Sequence, residues 1–125
     1  MILRFDHIVL TVADVETTLR FYERALGMRR LVEPKRPAAL LFGRQKINVH
    51  QVDRTFEPKA LRPTAGSADL CFVTGWPIDR VAAHLEAEGV AIELGPVERQ
   101  GALGPMTSVY VRDPDGNLLE VSHYP

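Results

Sequence analysis

The 125-residue sequence has one cysteine, no long apolar run and almost no excess of charge of either sign. The lone Cys71 excludes an internal disulfide and a cysteine-based zinc cluster. Fifteen Lys and Arg against sixteen Asp and Glu give a net charge of −1, which argues against binding to nucleic acid or a membrane surface. No stretch approaches the roughly 20 apolar residues that cross a bilayer. Residues 1–5 lack the pattern of a signal peptide, so we expect a cytoplasmic protein.

A repeated order of strand and helix signals runs through the chain. Residues 6–12 form a β-branched run typical of a buried strand, and apolar residues at helical spacing follow it up to Gly27. Residues 68–74 form a second such strand, and a second helical pattern ends at Gly89. The two glycines lie 62 residues apart. This spacing indicates a duplicated strand–helix unit.

Each half then continues into further strands. Two hairpins are predicted, at residues 39–42 with 47–52 and at residues 107–111 with 118–121. Residues 53–66 are predicted to be a linker, and residues 94–105, which contain Gly and Pro, an ordered loop over a pocket. The sequence therefore predicts one α+β domain over residues 1–125. Its first module covers about 4–53 and its second about 67–123.

Four metal-competent side chains stand in these otherwise apolar strands: His7, His50, Asp69 and Glu120. His7 and Asp69 are also 62 residues apart, and we expect His50 and Glu120 to be the second equivalent pair, with a longer offset because of the loop at 94–105. Taken singly, each is more typical of a satisfied buried histidine or a strand-end carboxylate. Gathering all four without a cation would be costly. Such a set suits iron(II), manganese, nickel or zinc.

Alternation along the strand at 107–112 predicts that Ser108, Tyr110 and Arg112 share one face. They are candidates to bind a polar substrate, the alternative being a solvated strand face. Glu120, or a metal-bound hydroxide, is the candidate general base.

The two ends of the chain carry the motifs of a known superfamily. The segment His7–Val12, with Asp14, Thr18–Tyr22 and Leu26–Met28 after it, resembles the opening of the vicinal-oxygen-chelate superfamily, which includes glyoxalase I, bleomycin-binding proteins and extradiol dioxygenases. Residues Val111–Val121 resemble its closing hairpin. Three central segments are similar to a narrower group of small glyoxalase-domain-containing proteins: Phe56–Ala60, Gly66–Cys71 and Gly95–Ala102.

The resemblance implies two βαβββ modules that pair into a curved mixed-sheet half-barrel with helices outside. It also implies metal ligands at His7, His50, Asp69 and Glu120, with a metal that chelates two neighbouring substrate oxygens. Asp69 departs from the pattern, because many metalloenzymes of the superfamily have His or Glu there. A shorter carboxylate can reach the metal through water, leaving a two-histidine, one-carboxylate site.

Three functions follow as hypotheses. The first is a divalent-metal-dependent lyase or isomerase acting on a small polar substrate with vicinal oxygens. The second is an iron(II) extradiol-type ring-cleaving dioxygenase. The third is a metal-free protein that binds an antibiotic or metabolite. We also expect a homodimer, in which the modules pair within one chain or between two.

Overall fold

The computed structural model describes all residues from Met1 to Pro125, and the chain is an α+β protein of two units, residues 1–67 and 68–125. The first unit contains β1 (His7–Val12), α1 (Val15–Leu26), β2 (Arg29–Leu31), β3 (Ala38–Phe42) and β4 (Gln45–Gln51), followed by a short 3₁₀ turn (Val52–Arg54). The second contains β5 (Asp69–Val73), α2 (Ile78–Ala87), β6 (Leu94–Gly101), β7 (Gly104–Arg112) and β8 (Leu118–His123). Neither helix is long and apolar enough to cross a membrane.

The two sheets have the same topology. The strand order is β1-β4-β3-β2 in the first and β5-β8-β7-β6 in the second. The first and last strands of each unit pair in parallel, β1 with β4 and β5 with β8, and the other neighbours are antiparallel. The predicted α+β class and the duplicated βαβββ unit are therefore confirmed.

Helix α1 covers one face of the first sheet. Asp14 begins the helix by accepting a hydrogen bond from the Thr17 amide at 2.9 Å, and Gly27 ends it in the left-handed conformation, φ 67°. Its apolar side, which includes the fully buried Tyr22, packs against strands β3 and β4, where Leu40 and Ile47 are inaccessible to solvent. The opposite face of this sheet carries no helix of the unit and holds His7.

Helix α2 covers one face of the second sheet in the same way. Leu85 of the helix and Val109 and Leu119 of the sheet are completely buried, and the helix contacts β6, β7 and β8. In each unit the odd–even alternation of the strands thus sends apolar side chains towards the helix, and the other face carries the polar residues together with some apolar ones.

The prediction of a loop at residues 94–105 is wrong, because most of this segment forms a hairpin. Strand β6 pairs with β7 down to a tight turn, Gly101 opposite Gly104. The pairing is interrupted between Leu94 and Val97, where the chain reads Gly95-Pro96. A bulge accommodates these two residues within a strand, so their presence did not require a loop. The turn of the first hairpin is also shorter than predicted, because Gln45 and Lys46 already belong to β4.

Candidate metal and substrate site

Glu120 is held on β8 through only one of its two carboxylate oxygens. The hydroxyl of Ser108, on β7, donates to Glu120 Oε2 at 2.6 Å, and the hydroxyl of Ser122 lies 3.2 Å from the same oxygen. The two serine hydroxyls are 2.7 Å apart and both residues are completely buried. Both serine contacts are made to Oε2, so the side chain is fixed in direction, and the Cys71 thiol also interacts with this carboxylate.

Asp69 and Cys71 lie beside Glu120 on the same face of the second sheet. Cys71 is opposite Glu120 in the β5–β8 register, and Asp69 is two positions away, opposite Leu118. Asp69 is exposed and its carboxylate has no hydrogen-bond partner. Cys71 is exposed as well. Partial burial raises the pKa of its thiol, and the neighbouring Glu120 carboxylate adds to this rise.

The predicted shared face of Ser108, Tyr110 and Arg112 is confirmed, and it is also the face of Glu120, because Tyr110 stands directly opposite Glu120. Ser108 is buried against the carboxylate and serves to orient it. Arg112 forms a two-pronged ion pair with Glu93, at 3.0 and 3.1 Å. That ion pair raises the pKa of Arg112. Tyr110 keeps its hydroxyl proton available, because its oxygen accepts a hydrogen bond from Arg99 at 2.9 Å.

In the first unit, His7 is the first residue of β1 and contacts the carboxylate of the preceding residue, Asp6. Its Nδ1 lies 2.8 Å from Oδ1 of Asp6, and since an ionised carboxylate only accepts, Nδ1 carries the proton. The contact lowers the pKa of Asp6. Nε2 of His7 makes no hydrogen bond and lies on an exposed ring. Metal-binding histidines are commonly oriented by a carboxylate in this way.

His50 lies on the same face of the sheet as His7 but far from it. In the β1–β4 register His7 is opposite Lys46, whereas His50 is opposite Thr11, four positions further along. Four positions correspond to about 13 Å along the strands, too far for two imidazoles to share one ion at about 2.1 Å each. The His50 ring is buried and stacks on Phe56 with centroids 4.6 Å apart. Burial lowers the pKa of His50.

The registers also correct the predicted equivalence of His50 and Glu120. Glu120 stands two positions along from Asp69, and the residue two positions along from His7 is Asn48. Asn48 is therefore the counterpart of Glu120, and His50 is the counterpart of Ser122. An alignment of the apolar–polar–apolar triplets 47–49 and 119–121 would have found this. The sequence predicted His50 at this position because histidine is a metal-ligating residue type.

The sequence interpretation also missed the residues that hold the ligands in place. Asp6 and Ser122 were both within two positions of a candidate ligand and could have been found from adjacency and the period of two. No group of three or more His, Cys, Asp or Glu side chains in the structure is close enough together to hold a metal ion. The joint ligand set therefore stays a prediction.

Comparison with known proteins gives a consistent result. The family described as the Glyoxalase/Bleomycin resistance protein/Dioxygenase superfamily matches residues 4–121. Virulence protein STM3117 of Salmonella typhimurium is 55% identical over 121 residues, covering 97% of this chain and 84% of that protein. Glyoxalase domain-containing protein RDO1 of Mycosarcoma maydis is 50% identical over 119 residues, covering 95% and 67%.

Solved structures agree with the fold. The crystal structure of the Salmonella virulence protein superposes with a TM-score of 0.97 at 54% identity, covering 100% of this chain and 99% of the other. A lactoylglutathione lyase from Agrobacterium tumefaciens has a TM-score of 0.73 at 21% identity, covering 96% and 92%. The second likeness concerns the fold alone.

Proposed function

This chain belongs to the Glyoxalase/Bleomycin resistance protein/Dioxygenase superfamily, and from this membership we propose that it is a divalent-metal-dependent enzyme acting on a small substrate with two neighbouring oxygens. One observation carries the proposal. His7 is anchored through Nδ1 by Asp6, with no hydrogen bond on Nε2, and Glu120 is anchored through Oε2 by the two serines. Residues that serve only to stabilise a strand have no need of this arrangement.

The proposed ligands are His7, Asp69 and Glu120. They offer one imidazole nitrogen and two carboxylates, a donor set that suits iron(II), manganese, nickel or zinc. The ligand role first predicted for His50 does not form part of this set, because its ring is buried against Phe56 and offset from His7. His7 belongs to the first unit, and Asp69 and Glu120 belong to the second.

A divalent metal held by His7, Asp69 and Glu120 would polarise two neighbouring substrate oxygens and stabilise the negative charge that develops on them. Glu120, or a metal-bound hydroxide, would be the general base that accepts a proton from the carbon next to those oxygens. Ser108 and Ser122 hold the carboxylate in one orientation, so that proton transfer does not have to wait for a rotamer change. Tyr110, opposite Glu120 in the sheet, is placed to donate its hydroxyl proton to a substrate oxygen.

We further propose that the enzyme is a homodimer. Both sheets have open edges, at β1 and β2 and at β5 and β6, and apolar side chains on those strands are exposed, Val9 at 48% and Val73 at 64%. Uncovered edges and apolar residues of this kind favour association with a second copy.

The test is metal analysis of protein purified without added metal, chelator or metal-affinity resin, followed by titration calorimetry after anaerobic reloading. We expect near-stoichiometric metal in the unaltered protein. Glu120→Gln removes the negative charge of the carboxylate and should weaken metal binding by about tenfold or more. Glu93→Gln is the matched control, since it removes the same charge from a carboxylate engaged only with Arg112.

The outcomes separate the hypotheses. Metal binding that is lost in Glu120→Gln and His7→Gln but kept in Glu93→Gln and His50→Gln supports the proposed ligand set. Absence of binding by the unaltered protein to Fe²⁺, Mn²⁺, Ni²⁺ and Zn²⁺ alike would overturn the proposal. Equal losses in Glu93→Gln and Glu120→Gln would contradict it as well, because only general electrostatics would then be at work.

A further inference from the structure

The polar face of the first sheet contains a small pocket that the metal site does not use. It has a volume of about 70 Å³, room for a few water molecules and much smaller than a pocket that encloses a whole drug-sized ligand. Leu31 and Ala39 form an apolar part of its wall, and Glu33, Arg36, Lys46 and Asn48 supply its polar groups. The pocket therefore suits one charged group of a ligand.

The charges of the residues that line the pocket do not cancel. Arg36 and Glu33 form an ion pair at 3.6 Å, so these two neutralise each other. Lys46 is half-buried and has no ion pair, and the side-chain amide of Asn48 makes no hydrogen bond. Asp6 lies outside the pocket lining and is bonded to His7, and the Lys46 charge also contributes to the lowered pKa of its carboxyl group. One positive charge and one amide donor are thus left for an incoming group.

The second unit shows that this polarity is particular to the first. Lys46 and Asn48 occupy the register positions that Leu118 and Glu120 occupy in the other sheet. The same pair of positions therefore carries a charge of −1 in the second unit and +1 in the first. The two units share the same backbone arrangement, but the charge at these two positions differs in sign. It is negative in the second unit, where it attracts a cation, and positive in the first, where it attracts an anion.

We infer that this pocket binds the anionic group of the substrate, a carboxylate or a phosphoryl group, through the Lys46 ammonium and the Asn48 amide. Lys46 is the direct cross-strand neighbour of His7, so an anion held there lies beside a proposed metal ligand. Its assignment to the substrate rests on the proposed function. The substrate class then becomes a small acid or phosphate ester with two neighbouring oxygens next to the anionic group.

The test is titration of the full, metal-free chain with inorganic phosphate, and separately with acetate, at constant ionic strength. Amide chemical shifts report the site. We expect saturable shifts at residues 46 and 48, about tenfold weaker binding in Lys46→Gln and little change in Lys46→Arg. Asn48→Asp places a carboxylate in the pocket and should abolish binding. Arg44→Gln is the matched control, since it removes one positive charge from the exposed turn between β3 and β4.

Equal weakening in Arg44→Gln and Lys46→Gln, or shifts spread over all basic residues, would overturn the inference and mean an adventitious ion only. Preference for phosphate over acetate, or the reverse, identifies which oxyanion the pocket takes. The proposed function fails separately. If the protein binds phosphate through Lys46 but binds no metal, the metal enzyme is refuted and the anion pocket is supported. If it binds metal but its phosphate binding is unchanged in Lys46→Gln, the anion pocket is refuted and the metal enzyme is supported.

Discussion

At the scale of single residues, His50 shows how burial decides the chemistry of a histidine. Its ring is 8% exposed and faces Phe56 at 4.6 Å, and an apolar, desolvated setting disfavours the charged imidazolium. The pKa of His50 is therefore lower in the folded than in the unfolded chain. His7, on the same face, is exposed and bonded to Asp6 instead.

This lowered pKa predicts a loss of stability at mildly acidic pH. The contribution of neutral His50 is fully present above the unfolded pKa of about 6.5, and it is lost as the pH falls from there through the folded pKa, because the unfolded chain then binds the proton more readily. The urea midpoint, measured with a chelator between pH 8 and pH 5, should fall in the acid range. His50→Phe should make this part of the curve flatter.

His7→Gln serves as the control, since it removes an exposed histidine from the same sheet. We expect it to keep the acid-range loss seen in the unaltered protein. If His50→Phe retained the full pH dependence, desolvation of His50 would not be its source.

At the scale of elements, the β6–β7 hairpin depends on one glycine. Gly95 has φ +111°, a conformation that L-residues rarely adopt. A Cβ there would also come within 2.4 Å of the Ser108 carbonyl oxygen on the neighbouring strand. Ser108 in turn orients Glu120, so the close approach of these two strands bears on the proposed base.

Gly95→Ala is therefore expected to lower the free energy of unfolding by about 3 kcal/mol, through backbone strain and the clash together. Gly104→Ala is the matched control in the same hairpin. Gly104 has φ +125° but nothing within 4 Å of a built Cβ, so only strain of about 1 kcal/mol is expected. Urea unfolding of both variants measures the difference. Equal losses would mean that the approach of Ser108 costs nothing.

At the scale of the whole molecule, the chain repeats one βαβββ unit with different side chains on its open face. The first unit presents His7, Lys46 and Asn48 there, and the second presents Asp69 and Glu120. The repeated frame gives each unit a helix-covered core and a polar face. The open face of the first unit therefore carries an imidazole and a cationic group, and that of the second carries carboxylates.

The proposed homodimer gives a prediction at this scale. Because strand edges and apolar residues such as Val73 are exposed in the single chain, we expect sedimentation equilibrium at micromolar concentration to give twice the 14.0 kDa of the chain. The result should not change between metal-free and metal-loaded protein if the apolar surface drives association. A single species at the mass of the monomer would refute the homodimer.

The sequence by itself determined the elements and their duplication. Strand β1, helix α1 and their repetition in β5 and α2 follow from local patterns, because period, capping by Asp14 and termination at Gly27 act within a few residues. The shared face of Ser108, Tyr110 and Arg112 followed too, since alternation along one strand is a local property. The family membership followed from the motifs at the two ends of the chain.

Only the tertiary structure decided which residues stand side by side. Register between strands depends on hydrogen bonds between segments some forty residues apart, and a shift of two positions preserves the face while changing every neighbour. This is why Asn48 rather than His50 proved to be the counterpart of Glu120. Strand β6 was missed for a related reason, because a bulge at Gly95 is stabilised by pairing with β7 and has no local signature of a strand.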